Sequence, residues 1–190
     1  MTKIAIVLTE NYTDWESAML AAVLRGFYGV NVVTASPDGK PVTSSGGFAV
    51  TPAAALAALS ADEIDMLIVN GGTQWDLPAG ADLVALMRGM RARGKPVAAI
   101  CGAVKALAQT GLIDGVPHTG NSAEELASVE GYRGGARFVA QPPALSYDGI
   151  ITAAGTAPVS FMKAVCEALG FGGPQLDFYV GVLGAEHRAA

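Results

Sequence analysis

One stretch limits the fold more than any other: Pro96-Val-Ala-Ala-Ile-Cys101-Gly-Ala-Val-Lys-Ala-Leu-Ala108. The apolar run from Val97 to Ile100 follows a Gly94-Lys95-Pro96 break and carries no helix-start signal, so it reads as a buried strand. From Gly102 the residues are helix formers, and Gly111 stands where a C-cap would close the helix. A strand that passes straight into a helix leaves no room for bulk beside the turn. Ala99, Gly102 and Ala103 around Cys101 meet that demand. This is the steric logic of a nucleophile elbow, which raises one side chain off the sheet and aims backbone N–H groups beside it. The following helix N-terminus would lower the thiol pKa. The plainer reading is a buried cysteine among small neighbours.

The rest of the chain supplies the sheet that such an elbow needs. Ile4–Leu8 reads as a strand buried on both faces. A helix follows from about Asp14 to Phe27, with Trp15, Ala18, Met19, Ala22, Val23 and Phe27 as its apolar stripe. Val30–Ala35 is the second strand. Residues 36–52, with Asp38-Gly39 and Gly46-Gly47, read as a small hairpin excursion. Ser60–Glu63 reads as a short helical cap, Asp65–Val69 as a strand, and Ala81–Arg93 as a helix. Residues 122–147 carry the weakest pattern, with a helix over Ala123–Val129 and a strand over Ala136–Val139. Leu145–Ala153 reads as two strands around Asp148-Gly149. Thr156 serves as N-cap of a helix ending near Leu169, and Pro174 opens the last helix. Strands alternating with helices predict an α/β fold: a flavodoxin-like three-layer α/β/α sandwich on a mostly parallel sheet. The 190 residues suit a single domain.

Composition excludes several function classes. The net charge is −5 with no basic stripe, which argues against nucleic acid. No apolar run reaches the roughly 20 residues of a membrane span. The N-terminus reads as a strand and not as a signal peptide. Two cysteines, Cys101 and Cys166, make no disulfide framework, so a reduced, cytoplasmic setting is expected. His118 and His187 stand far from each other and from both cysteines, with no metal-ligand spacing, so no metal is expected; nor is a cofactor, since no glycine-rich phosphate cradle follows the first strand.

In an open parallel sheet, ligands bind beyond the carboxyl ends of the strands. Glu16, Gly71-Gly72 and Cys101 all fall there. Thr13-Asp-Trp-Glu16 also fits a capping box, which would make Glu16 a helix cap. Beside Cys101, the Glu16 carboxyl could instead stay protonated and donate to the thiolate, or carry a proton to a bound carbonyl. Gly71-Gly72 is either a strand-ending turn or, with the Gly102 N–H, an oxyanion hole centred on Gly72 and Gly102. Trp15 and Trp75 are either pocket walls or core. Cys166 reads as structural, and Lys105, Arg133 and Arg137 as solvated.

With these residues in place, the chain resembles the ThiJ/PfpI family, in the class I glutamine amidotransferase-like superfamily that includes a parkinsonism-associated deglycase. The shared stretches are Lys3–Leu8, Trp15-Glu16, Val69–Gly72, Ala99–Ala103, Leu107–Gly115 and Thr152–Gly155. The resemblance implies a flavodoxin-like homodimer with an oxidation-sensitive elbow cysteine and a glutamate partner, roles that fall on Cys101 and Glu16. It implies a cysteine enzyme acting on a small electrophile, of glyoxalase, deglycase or isocyanide hydratase type. The other readings are a redox sensor without turnover, and a flavin or nucleotide binder, which the loop Thr9–Asp14 disfavours because it has no glycine-rich cradle. PfpI-type proteases carry histidine directly after the cysteine, where this chain has Gly102. Glutaminases use a late His-x-Glu pair, which Glu186-His187 does not form. Many relatives place histidine about twenty positions after the cysteine. Asn121 stands there, with His118 three residues earlier, and either is a candidate substrate contact.

Overall fold

The computed structural model describes residues 1–185 of the chain. A seven-stranded sheet forms the middle layer, in the order β5 (Ala54–Ala55), β2 (Asn31–Ser36), β1 (Lys3–Val7), β6 (Met66–Val69), β7 (Val97–Ile100), β9 (Ile150–Ala153) and β8 (Leu145–Tyr147). All neighbours run parallel except β8, which turns back on β9 through Asp148-Gly149. The remaining two strands, β3 (Val42–Thr43) and β4 (Ala49–Val50), form the separate hairpin expected from the glycine-rich excursion.

Strand alternation sends successive side chains to opposite faces, so each apolar strand feeds two cores. Ile4, Ile6, Met66, Ile68, Ala98, Ile100 and Ile151 face one side. There they pack against α1 (Asp14–Tyr28), α5 (Pro158–Ala168) and α6 (Pro174–Leu183). Ala5, Val7, Leu67, Val69, Val97 and Ala99 face the other. They meet α2 (Ala81–Ala92), α3 (Ala103–Ala108) and α4 (Ala123–Ala127). This is the flavodoxin-like α/β/α sandwich. Strands covered on both faces read as continuous apolar runs, and β1, β6 and β7 do. Among the described residues, no helix is long and apolar enough to cross a membrane.

Several local expectations are corrected. The inward face of α1 is Glu16, Ser17, Leu20, Val23 and Leu24, while Trp15, Ala18, Ala22 and Phe27 face outward. Leu20, Val23 and Leu24 set the helix phase, and continuing it back by four residues brings Glu16 onto the buried side. α3 ends at Ala108, and Gly111, at φ +74°, belongs to the turn beyond it. Residues 60–63 form turns, and the short ordered pieces before them are β5 and a 3-10 turn at Leu56–Ala58. Instead of a strand at Ala136–Val139 there is a 3-10 turn at Gly135–Arg137, with Phe138 bridging to His118. The N-cap of α5 is Ala157 and not Thr156, because Pro158 takes the first helical position.

Register places the site. Val7 lies level with Val69, Val69 with Ala99, and Ile100 with Ala153. The carboxyl ends of β1, β6, β7 and β9 therefore share one edge. The sheet grows toward β2 on one side of β1 and toward β6 on the other, which is a topological switch point.

Candidate functional site

β7 is fully buried and delivers Cys101 at that edge. Cys101 has φ +58°, a left-handed conformation that costs an L-residue about 1–3 kcal/mol. Its N–H donates to the Ala153 carbonyl at 2.9 Å, and its own carbonyl accepts from Val104 N–H at 3.1 Å. The turn is thus tied to β9 on one side and to α3 on the other. The elbow is present, and close approach fixes its neighbours. A Cβ on Gly155 would stand 2.8 Å from the Cys101 sulfur and 3.0 Å from Glu16 Oε1. A Cβ on Gly71 would collide with Glu16 Oε2 and lie 2.6 Å from Cys101 Cβ. Small residues here are a packing requirement of the carboxyl–thiol pair.

Glu16 does not cap its helix. Thr13 sits at the N-cap without a side-chain cap bond, and Glu16 turns inward to 1% exposure. Its Oε2 accepts from Gly71 N–H at 2.8 Å. Its Oε1 has no hydrogen bond of ordinary geometry and stands against the Cys101 sulfur. Burial pushes the carboxyl up to about 7, against the pull of the Cys101 thiol, Gly71 N–H and Thr13. The Cys101 thiol is also pushed up, first by burial and further by the Glu16 charge, while the Asn121 amide and Gly102 N–H hold it down. The expected lowering by the helix N-terminus is overturned, since α3 has only six residues and burial outweighs its dipole. Carboxyl and thiol titrate as a unit, and Glu16 is the more acidic member.

Asn121 occupies the place that the resemblance gives to histidine. Its Oδ1 accepts from Gly155 N–H at 3.0 Å, which fixes the amide's orientation, and its Nδ2 donates to the sulfur at 3.5 Å. His118 lies elsewhere. It is wholly buried, with Nδ1 at 2.8 Å from the Val116 carbonyl and Nε2 at 2.6 Å from the Tyr132 hydroxyl. A carbonyl only accepts, so Nδ1 carries the proton and Nε2 receives that of Tyr132. His118 therefore anchors the loop leading to Asn121. His187 and Glu186 lie outside the described residues.

An open cavity of about 600 Å³ rises over Cys101, walled by Trp15, Gly72, Gly102, Lys105 and Asn121. Trp15, 58% exposed, donates its indole N–H to the Gly155 carbonyl at 3.1 Å and stands at the mouth. Trp75 is core, 5% exposed, with its indole N–H on the Asn70 carbonyl at 2.8 Å, and it backs Gly102 from below. The diglycine divides its work. The Gly71 N–H is taken by Glu16, and Gly72 lines the cavity with its carbonyl against the Gly102 Cα. Lys105 is not solvated as expected: its side chain is 11% exposed and paired with Asp76 at 2.5 Å and Glu125 at 3.4 Å. Its position one turn past the elbow was the signal available in the sequence. Arg133 and Arg137 face water, and Cys166 is buried in α5 with its thiol pushed up to about 11, first by burial. Among the described residues, no group of three or more His, Cys, Asp or Glu is placed to hold a metal ion.

Known proteins share this architecture. The DJ-1/PfpI family model matches residues 2–168. The Bacillus subtilis (strain 168) protein named "Uncharacterized protease YdeA" is 31% identical over 175 residues, covering 92% of this chain and 87% of its own length. The crystal structure of the DJ-1 superfamily protein Atu0886 from Agrobacterium tumefaciens superposes with a TM-score of 0.94 at 44% identity, over 98% of this chain and 100% of that one. A thiJ/pfpI family protein from Bacillus anthracis gives 0.88 at 28% identity, over 95% and 89%. A match over nearly the whole chain, on the fold that carries the elbow, establishes that the protein belongs to the DJ-1/PfpI family.

Proposed function

We propose that the protein is a cofactor-independent cysteine enzyme acting on a small electrophile, by glyoxalase- or deglycase-like hydration or hydrolysis. The observation that carries this reading is the convergence of three groups on one sulfur under an open cavity. Cys101 is set at a left-handed elbow, the Glu16 carboxyl stands against it with one oxygen unpartnered, and the Asn121 amide donates to it. With a 2-oxoaldehyde, the sulfur adds to the aldehyde carbon. The C=O π bond breaks, Glu16 takes the thiol proton, and that proton passes to the new alkoxide. Gly102 and Gly72 backbone N–H groups stabilise the charge on that oxygen. Glu16 then moves a proton from the former aldehyde carbon to the neighbouring carbonyl carbon through an enediol, while the hydroxyl proton passes from the former aldehyde oxygen to the neighbouring oxygen, giving a thioester of a 2-hydroxy acid. Water cleaves the C–S bond and returns the thiol.

A peptidase reading, suggested by the name of the Bacillus subtilis relative, has less support. Gly102 follows the cysteine, and among the described histidines His118 is committed to Val116 and Tyr132. The test is a panel of 2-oxoaldehydes, glycated amines and an isocyanide, run with native protein, Cys101→Ser and Glu16→Gln. Loss of turnover in both variants is expected. If no member turns over faster with native protein than with Cys101→Ser, the enzyme reading is wrong. Turnover of the isocyanide alone would move the assignment to the hydratase type.

One observation favours a second reading, a redox sensor. The Asn121 Nδ2 and Gly102 N–H directed at the sulfur could receive oxygens added to it. Mild peroxide should then stop at one oxidised state of Cys101 and leave buried Cys166 intact. Equal oxidation of both would exclude it. A second copy of the chain is the proposed partner, supported by outward apolar side chains at Trp15 and Phe27 on α1 and Phe48 on the hairpin. Light scattering at micromolar concentration would show a dimer, and a monomer would reject it.

A further inference from the structure

The cavity over Cys101 is charged in a way that the proposed chemistry does not require. Lys105 stands one helical turn past the cysteine, held between the carboxylates of Asp76 and Glu125. A lysine so engaged has no spare charge to offer an anion. Burial pulls its pKa down, but the two carboxylates outweigh this and hold it above the ordinary value. A second cavity of about 520 Å³ is also lined by Asp76 and Lys105, and it adds Glu130. The two spaces meet at the Asp76–Lys105 pair. Among the described residues lining them, one lysine stands against three carboxylates. Separately, Glu16, 1% exposed and with Oε1 unpartnered, lies behind the Cys101 sulfur and adds a further negative charge beneath the cavity whenever it is ionised.

The geometry points to a substrate that carries a positive charge: an aldehyde or ketone on a chain ending in an amine or guanidinium. Its carbonyl sits at Cys101, and its cation lies over Asp76 toward Glu125 or Glu130. This rests on Cys101 being the nucleophile. Anionic electrophiles of the same size, such as 2-oxo acids, are excluded by the same charges. Asp76 and Glu125 act as specificity-determining residues, and Lys105 is the positioning residue that holds them on the cavity wall. Asp76 follows β6, Glu125 lies in α4, and Lys105 bridges them from α3.

The test needs no substrate. Cys101 is modified with methanethiosulfonates bearing a trimethylammonium group, a sulfonate or a neutral methyl group, and rates are read by peptide mass spectrometry. In each case the thiolate sulfur bonds to the reagent sulfur and methanesulfinate leaves. The cationic-to-anionic rate ratio, divided by the same ratio for a free small thiol, should be about tenfold at low salt. It should fall about threefold in Asp76→Asn or Glu125→Gln. On native protein it should collapse toward one at high salt, which gives a readout even if a variant does not fold. A ratio near one at low salt, one unmoved by either Asp76→Asn or Glu125→Gln in folded protein, or one on native protein indifferent to salt, overturns the inference. The two proposals fail separately. A charge-blind Cys101 with 2-oxoaldehyde turnover overturns this one and leaves the enzyme reading standing. A charge-selective Cys101 with no turnover does the reverse.

Discussion

Replacing Glu16 with glutamine should stabilise the protein in mild base and leave it nearly unchanged in acid. Glutamine matches the protonated carboxyl in shape, and its amide oxygen can still accept from Gly71 N–H, the bond made by Oε2 at 2.8 Å. The difference lies in the charge. Burial raises Glu16 from an ordinary 4.5 to about 7. Between those two values the folded chain holds a proton that the unfolded chain has released, so stability falls as pH rises through the window and is flat above it. At 1.36 kcal/mol per pH unit, the full span is worth about 3 kcal/mol. The same stability is fully present below 4.5 and lost once pH passes about 7. Urea unfolding of native and Glu16→Gln protein across this range, both in a Cys101→Ser background to remove the coupled thiol, should give curves that meet in acid and separate in base, with native the less stable. Parallel curves would mean that the carboxyl ionises at its ordinary value and that burial does not govern it. A variant that matches native protein in acid and is less stable in base would mean that the charged form is the one the site is built to hold.

Glu16→Gln should also move the pH profile of Cys101 alkylation downward, because the carboxylate that pushes the thiol up is gone, while turnover falls at least about 100-fold for want of a proton carrier. An upward shift would show that Glu16 stabilises the thiolate. Asn121→Ala removes a donor from the sulfur, so the same alkylation profile should move upward; an unmoved profile would mean the 3.5 Å contact has no electrostatic weight. Gly155→Ala sets a methyl 2.8 Å from the sulfur, and should slow alkylation by at least about tenfold at a stability cost of about 1–3 kcal/mol. Native-like alkylation rates would show that the edge can yield. Lys95→Met removes an ammonium that donates to the Ala61, Asp62 and Ile64 carbonyls at 2.8, 2.9 and 2.7 Å, and should cost about 2–3 kcal/mol in urea melts. Since Lys95 precedes β7 at the end opposite Cys101, kcat should not change, and a changed kcat would couple the two ends of the sheet.

The sheet was legible because its strands are buried on both faces. β6, β7 and β1 from Ile4 onward are uninterrupted apolar runs, a pattern that a parallel sheet under two helical layers requires. The hairpin of β3 and β4 and the β8–β9 turn were marked by their glycines. Segment 122–147 was hard to read because little of it is held by a regular ladder. Its order comes from tertiary pairs: His118 with Tyr132, the Arg133 N–H on Asp114 at 3.0 Å, and the His118–Phe138 bridge. Such contacts join residues many positions apart and leave no periodic trace. β5 was missed for a related reason: two alanines become a strand only because β2 offers its free edge.

The site was legible as a set of residues but not in its electrostatics. Topology alone brings Glu16, Gly71 and Cys101 to one edge, since β1, β6 and β7 are neighbours in register. Which way Glu16 points was ambiguous, because Thr13-Asp-Trp-Glu16 is also a sound capping sequence. The phase of α1 decides it. A stripe drawn through Leu20, Val23 and Leu24 runs back through Glu16, so the helix carries a carboxylate at a core position. A charge costs too much there unless it has a partner, and that cost is itself the functional signal. The stripe drawn through Trp15 and Phe27 hid it by treating the largest apolar side chains as the buried ones, although both lie outside. The thiol is hard to read for a similar reason. The helix N-terminus visible in the sequence points to a lowered pKa, whereas the loss of water and a carboxylate one contact away both raise it. In a buried pair the nearer charge governs. On the proposed enzyme reading, the reactive form of Cys101 is therefore made by proton transfer to Glu16 as the substrate arrives, since α3 does not hold the thiol down at rest.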